Sequence, residues 1–203
     1  MSTDKSKSRP LAWSERRAHT RERLITAARA AIAERGFHRT TIDEIAARAG
    51  LTKGAVYDNF TSKDELFSAA VMAWAIERSE RFAWPRGKTG SLKQRLKRLA
   101  EAVIADAPTA QLEAPMRAEL LLYTLTHAEM RRRVAEAAVG RFAGVRERLL
   151  EIVSEGELPL PLDRVVVLLE ALIPGLMFIR SQAPQLVSDQ VIMDIFESLA
   201  GRP

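Results

Sequence analysis

Two threonines eleven residues apart, Thr41 and Thr52, each stand ahead of a short helix-forming run, and Gly50 lies between the runs. A threonine hydroxyl accepts one of the orphan backbone N–H groups of a first helical turn. At Thr41 the spacing predicts a capping box, because Glu44 follows three residues on. Ile42, Ile45, Ala46 and Ala49 then recur at i, i+3, i+4 and i+7, the apolar face of a helix of about two turns. Gly50 supplies the positive φ that a sharp turn needs. Thr52 is expected to cap a third helix reaching Asn59, with Leu51, Val56 and Phe60 pointing inward. Two short helices joined by a glycine turn outline a helix-turn-helix. They also describe a helical hairpin with no partner, and the pattern alone leaves both open.

The rest of the chain reads as helix. Alanine, leucine, arginine and glutamate dominate the sequence, and runs of β-branched residues are scarce. A first helix is expected from Ser14 to Gly36, its apolar positions Leu24, Ala28, Ala31 and Ile32 at helical spacing. Ser62 is placed to cap a fourth that passes Trp74 and reaches about Phe82. Pro85, Gly87 and Gly90 mark a loop. Further helices are expected over 91–106, 110–125 and 127–155, then a turn at Gly156–Pro161, then helices over 163–182 and 188–200. The fold class expected is all-α.

Residues 1–65 carry thirteen Lys/Arg and nine Asp/Glu, whereas residues 66–203 carry eighteen and seventeen. The excess positive charge therefore sits in the N-terminal third, a bias toward polyanionic partners. A solvated face would look the same. With no cysteine there is no disulfide framework and no cysteine-ligated metal. His19, His38 and His127 are scattered, and no phosphate-cradling glycine loop or G-x-S-x-G occurs. No enzyme and no cofactor are expected. The N-terminal stretch lacks the apolar core of a signal peptide, and Val165–Ile179 falls short of the ~20 residues that span a bilayer. No membrane partner is expected, and the expected location is the cytoplasm.

What faces outward from the third helix is then Thr52, Lys53, Gly54, Ala55, Tyr57 and Asn59. That face is small, polar or basic, with Asp58 the exception. Small residues let the first turn of a helix enter a major groove about 12 Å wide, where Lys and Thr reach base edges. Tyr57 and Lys63 suit phosphate oxygens, and Thr41 offers a hydroxyl and backbone amides to another phosphate.

The stretch resembles the N-terminal domain of the TetR family of regulators. The family pattern is matched at Thr41, Ile45-Ala46, Ala49-Gly50, Thr52, Gly54, Tyr57, Phe60, Ser62-Lys63 and Leu66, and the resemblance covers about residues 14–70. One departure is Asn59, where many members carry an aromatic or histidine. The resemblance implies that Thr52, Lys53, Gly54 and Ala55 lie along bases or adjacent backbone, and that Thr41, Tyr57 and Lys63 contact phosphate. It also implies a homodimer that places one third helix in each half of a palindromic operator on double-stranded DNA. Binding of a small molecule to the C-terminal domain would release the DNA. The domains expected are a disordered basic arm over 1–13, a helix-turn-helix DNA-binding domain over 14–61, and a helical bundle over 62–203 for effector binding and dimerisation.

In that bundle the helix over 163–182 is apolar nearly all round, which requires cover on every side. The dimer face expected is Val166, Leu169, Ile173, Val191, Ile195, Phe196 and Leu199. Pro174 is expected to kink its helix. Residues suited to line a pocket for a small hydrophobic effector are Trp74, Met116, Leu120, Tyr123, Met130, Phe142, Met177 and Phe178, although Met and aromatics at helical spacing also describe plain core. Arg117 and Arg180 are candidates to neutralise an acidic group, or plain surface. An interaction protein bound to DNA without an effector is the alternative function.

Overall fold

The computed structural model describes residues 13–201, which form nine α-helices, and among the described residues there is no strand. The expected arm lies outside the described residues except for Trp13, the first residue of α1. Backbone contacts divide the chain between Trp74 and Ala75, inside the fourth helix.

The N-terminal unit holds α1 (Trp13–Arg35), α2 (Ile42–Arg48), α3 (Lys53–Tyr57) and most of α4 (Lys63–Arg81). Helices as short as α2 and α3 are unstable alone, so tertiary burial must hold them. Leu24, Ala28, Ala31 and Ile32 of α1 are buried, as their spacing predicts, and so are Ile45, Ala46, Val56 and Phe60. α4 adds Leu66, Phe67, Ala70 and Val71 to the buried set. The Phe37 ring lies 4.2 Å from that of Phe67 and anchors the chain after Gly36.

The C-terminal unit holds the end of α4 with α5 (Leu92–Leu112), α6 (Ala114–Thr126), α7 (Ala128–Leu150), α8 (Leu162–Gln182) and α9 (Asp189–Ser198). α5 is its axis: Leu96, Leu99, Ala100 and Val103 are buried among Val145, Leu149, Val166, Leu169, Ile192 and Phe196. Ser91 and Gln94 form a full capping box at its start.

Two helix ends differ most from expectation. α5 continues through Pro108 to Leu112, because the turn beyond the proline carries Ala110 into the core. α7 stops at Leu150, five residues early. There the Ile152 carbonyl accepts from Arg95 Nη1 at 2.9 Å and the Ser154 N–H donates to Glu157 at 2.6 Å, so both groups leave the helical ladder. α8 keeps its expected span and passes through Pro174 as one helix.

Candidate nucleic-acid interface

The candidate surface is assembled by its caps. The Thr41 hydroxyl accepts from the Glu44 N–H at 3.2 Å, and that of Thr52 from the Ala55 N–H at 3.2 Å. The hydroxyl half of the expected capping box is therefore present, while the Glu44 carboxylate lies against Arg35 (3.5 Å) and Arg48 (3.9 Å). Gly50 turns the chain with φ +64, the left-handed region in which a side chain is strained. The Leu51 N–H then returns to the Ala46 carbonyl at 2.9 Å, so α3 leaves α2 in a fixed direction.

Thr52, Lys53, Gly54 and Tyr57 form the exposed face of α3 and Ala55 is half-buried, with Val56 and Phe60 beneath them in the core and Leu51 half-buried. Tyr57 is 52% exposed, an unusual position for an aromatic ring. Gly54 needs no special backbone angle, and a methyl group there would meet only the Thr52 hydroxyl at an ordinary 3.7 Å. Nothing among the described residues requires that glycine. Lys53 at the start of α3 is paired with Asp43 of α2, Nζ to Oδ2, at 3.0 Å. The carboxylate raises the Lys53 pKa, so the ammonium stays charged.

Two residues of the expected DNA face, Lys63 and Asn59, are turned inward. The Lys63 ammonium donates to the Phe37 carbonyl at 2.7 Å and sits 4.2 Å from the Phe37 ring centroid. Partial burial there lowers its pKa. Asn59 is half-buried and its Nδ2 donates to the Ala55 carbonyl at 2.8 Å. The asparagine amide thus closes the end of α3. Thr41 is exposed at the N-terminus of α2.

Sequence reasoning missed a ring of arginines on α1. Arg17 Nη2 donates to the Asp58 carbonyl at 3.3 Å, and Arg21 Nη1 to the Asn59 carbonyl at 2.8 Å. Arg21 also stacks over the Phe60 ring at 4.0 Å. Arg23 Nη2 donates to the Ala49 carbonyl at 2.6 Å. Each serves the carboxyl end of α2 or α3, where orphan carbonyls and the helix dipole favour a cation. Their separations of 26 to 41 residues carry no local sequence signal.

In the C-terminal unit Met116, Tyr123 and Met130 are buried, Leu120, Phe142 and Met177 are half-buried, and Phe178 is 65% exposed; Trp74 is buried at the end of the N-terminal unit. Two adjoining surface clefts share Arg146 and Asp163. One of about 390 Å³ is formed by residues 154–156 and 158–163 with Arg146, and one of about 280 Å³ by Phe142, Ala143, Arg146, Asp163, Val166 and Val167. Arg78 and Arg81 pair with Glu113, and Arg78 also with Asp106; burial and the neighbouring Arg78 lower the Arg117 pKa. Arg180 pairs with Asp189 at 2.6 Å. The Arg131–Arg133 run serves local contacts: Arg132 and Arg133 bind Glu129, whose carboxyl they hold at about 2, and Arg131 donates to the Leu125 carbonyl.

Val166, Leu169 and Phe196, expected on the dimer face, lie in the core of the C-terminal unit at 2%, 2% and 0% exposure. Helical periodicity marks an apolar face without saying which neighbour covers it. Ile173, Val191, Ile195 and Leu199 are half-buried, and the exposed apolar residues of α8 are Val167, Ala171, Phe178 and Ile179. No described helix is long and apolar enough to cross a membrane.

Residues 24–70 match the family model described as bacterial regulatory proteins, tetR family. The chain is 29% identical over 173 residues to the HTH-type transcriptional regulator TtgR of Pseudomonas putida, covering 80% of each chain. Its fold is that of Salmonella enterica GusR (TM-score 0.71, 21% identity, 91% of this chain and 96% of that one). It is also that of the multidrug binding protein EbrR, solved with imidazole (TM-score 0.66, 20% identity, 91% and 92%). Given the capped helix-turn-helix and these likenesses, residues 24–70 form a DNA-binding domain of the tetR family, and the chain is a DNA-binding transcriptional regulator similar to members of that family over most of its length.

Proposed function

We propose that this regulator is a cytoplasmic repressor. A homodimer would occupy a palindromic operator with one α3 in each major groove, and a small hydrophobic effector bound in the C-terminal unit would release it. The observation that carries the DNA-reading part is Gly54. A glycine inside a helix costs roughly 0.5–1 kcal/mol relative to alanine, and here neither backbone angle nor packing asks for one. A bare backbone patch at the tip of an exposed helix is what close approach to another molecule requires, and Lys53 and Tyr57 flank it. Thr52, Ala55 and Thr41 complete the proposed contact face. Lys63 and Asn59 would join it on turning outward, and each keeps a donor for that purpose.

Gly54→Ala tests this reading because the two alternatives predict different pairs of results. A DNA-reading helix predicts a raised Tm together with a weakened gel shift on a duplex enriched from a random pool by the wild-type protein. A helical hairpin without a partner predicts the raised Tm alone. Lys53→Ala and Tyr57→Ala are expected to weaken the same complex, and intact binding in both would remove α3 from the site.

Effector release is supported by the shared fold with EbrR, a protein described as binding many drugs, and by the buried Met116, Tyr123 and Met130. The second reading, a DNA-bound interaction protein with no effector, is favoured by the position of the two clefts, which open on the surface around Arg146 and Asp163. A thermal-shift screen of apolar compounds separates the two. Compounds that raise Tm and free the duplex support the effector, and a screen without such compounds supports the interaction protein.

A further inference from the structure

We propose that Asp43 is a specificity residue of the reading surface, holding the Lys53 ammonium back from phosphate on arbitrary DNA and yielding it only to a better acceptor on a base edge. The inference rests on the DNA-reading assignment above. Lys53 is the one cation within α3, at its first residue, and its Nζ lies 3.0 Å from Asp43 Oδ2. The carboxylate comes from the first turn of the neighbouring helix, whose start is fixed by the Thr41 cap. Two acids stand in that turn. Glu44 faces Arg35 and Arg48 and supplies the favourable charge at the helix N-terminus, which leaves Asp43 free of that duty.

Both partners are well exposed, at 54% and 68% of their side chains. An ion pair in water shifts an equilibrium by no more than about fivefold, so it restrains Lys53 and does not lock it. Arg17 and Arg23, by contrast, are bonded to neutral carbonyls and keep their full charge toward a polyanion. On DNA of arbitrary sequence the phosphate field attracts Lys53 and repels Asp43, so the pair contributes almost no net charge and releases almost no counterions. A guanine edge offers Lys53 two acceptors at fixed positions, a contact that discriminates between bases by about tenfold or more. That margin exceeds what the pair holds back. Asp43 therefore lowers affinity for wrong sequences more than for the right one.

The test is a double-variant cycle on two duplexes, one enriched from a random pool by the wild-type protein and one of the same composition scrambled. Binding is followed by fluorescence anisotropy across a salt series. Asp43→Asn is expected to raise affinity for the scrambled duplex about fivefold and to steepen its log K against log salt slope by about 0.9. The enriched duplex gains less, so the ratio between them falls. In a Lys53→Ala background, Asp43→Asn is expected to shift both duplexes by the same factor. An unchanged ratio in Asp43→Asn overturns the proposal, as does an equal loss of ratio with Lys53 absent. A wild-type protein that enriches no sequence sinks the DNA-reading assignment itself, a result distinguishable from either.

Discussion

Gly50 and Gly54 stand four residues apart in one motif and answer to opposite demands. Gly50 has φ +64, and an added methyl group would lie 3.3 Å from Arg23 Nη2, the atom that donates to the Ala49 carbonyl. Gly50→Ala therefore meets both backbone strain and a displaced arginine. The expected loss is about 1–2 kcal/mol, read as a lower urea midpoint at unchanged slope. Gly54→Ala moves the midpoint the other way, by roughly 0.5–1 kcal/mol, because only helix propensity changes. Thr52→Ala removes the cap that accepts from the Ala55 N–H and is expected to cost about 1 kcal/mol, with Thr52→Ser restoring most of it. These signs were legible in the sequence at Gly50 and Thr52, since turn geometry and capping are local. At Gly54 the residue was legible and its lack of an internal reason was not, because that depends on what surrounds the Cα.

At the scale of elements, the α7–α8 connection is organised by a single buried arginine. Arg95 of α5 is 4% exposed and donates to the Ile152 carbonyl at 2.9 Å and to both Glu157 oxygens at 3.0 and 2.7 Å. Arg95 and the Ser154 N–H together hold the Glu157 carboxyl at about 2. A carboxyl depressed on folding stabilises the native state above its ordinary unfolded pKa and loses that contribution as pH falls toward the folded value. The window is thus from about 4.5 down to about 2. Glu157→Gln is expected to lower Tm at pH 7 and to flatten this acid limb, so that the two Tm curves converge near pH 2. Parallel curves would remove Glu157 from the linkage. Nothing in the sequence pointed to this pair, whose members lie 62 residues apart, and the helix expected to run to 155 stops early because of it. The same limit hid Arg17, Arg21 and Arg23, whose acceptors are backbone carbonyls that any residue carries. Helix existence, by contrast, follows from periodicity and caps, which is why the order of elements was readable from the chain alone.

For the whole molecule, the proposed dimer makes a geometric demand that α8 can be asked to meet. Its exposed residues Val167, Ala171 and Phe178, with the half-buried Pro174, follow i, i+4, i+11 and i+7, a stripe along one face. Val167 is 56% exposed and Phe178 is 65% exposed, at opposite ends. A two-fold interface is self-complementary, so if residue i meets j of the partner, j meets i. Two α8 helices crossing antiparallel about the middle of the stripe would bring Phe178 onto Val167 of the other subunit and Ala171 onto Pro174, with the small alanine permitting close approach. The cleft of about 280 Å³ beside Val167, floored by Phe142, Ala143 and Val166, is placed to receive an aromatic ring. The chain has no cysteine, which makes the pairing directly testable. Within one subunit positions 167 and 178 are about 16 Å apart along the helix, far beyond the reach of a disulfide. Val167→Cys/Phe178→Cys is therefore expected to give a covalent dimer on mild oxidation, seen by non-reducing electrophoresis, while each single variant stays uncrosslinked. A single variant that crosslinks to itself would put the two-fold axis at that residue and discard the pairing. A dimer by native mass spectrometry with no crosslink in the double variant would keep the assembly and move its axis away from this stripe.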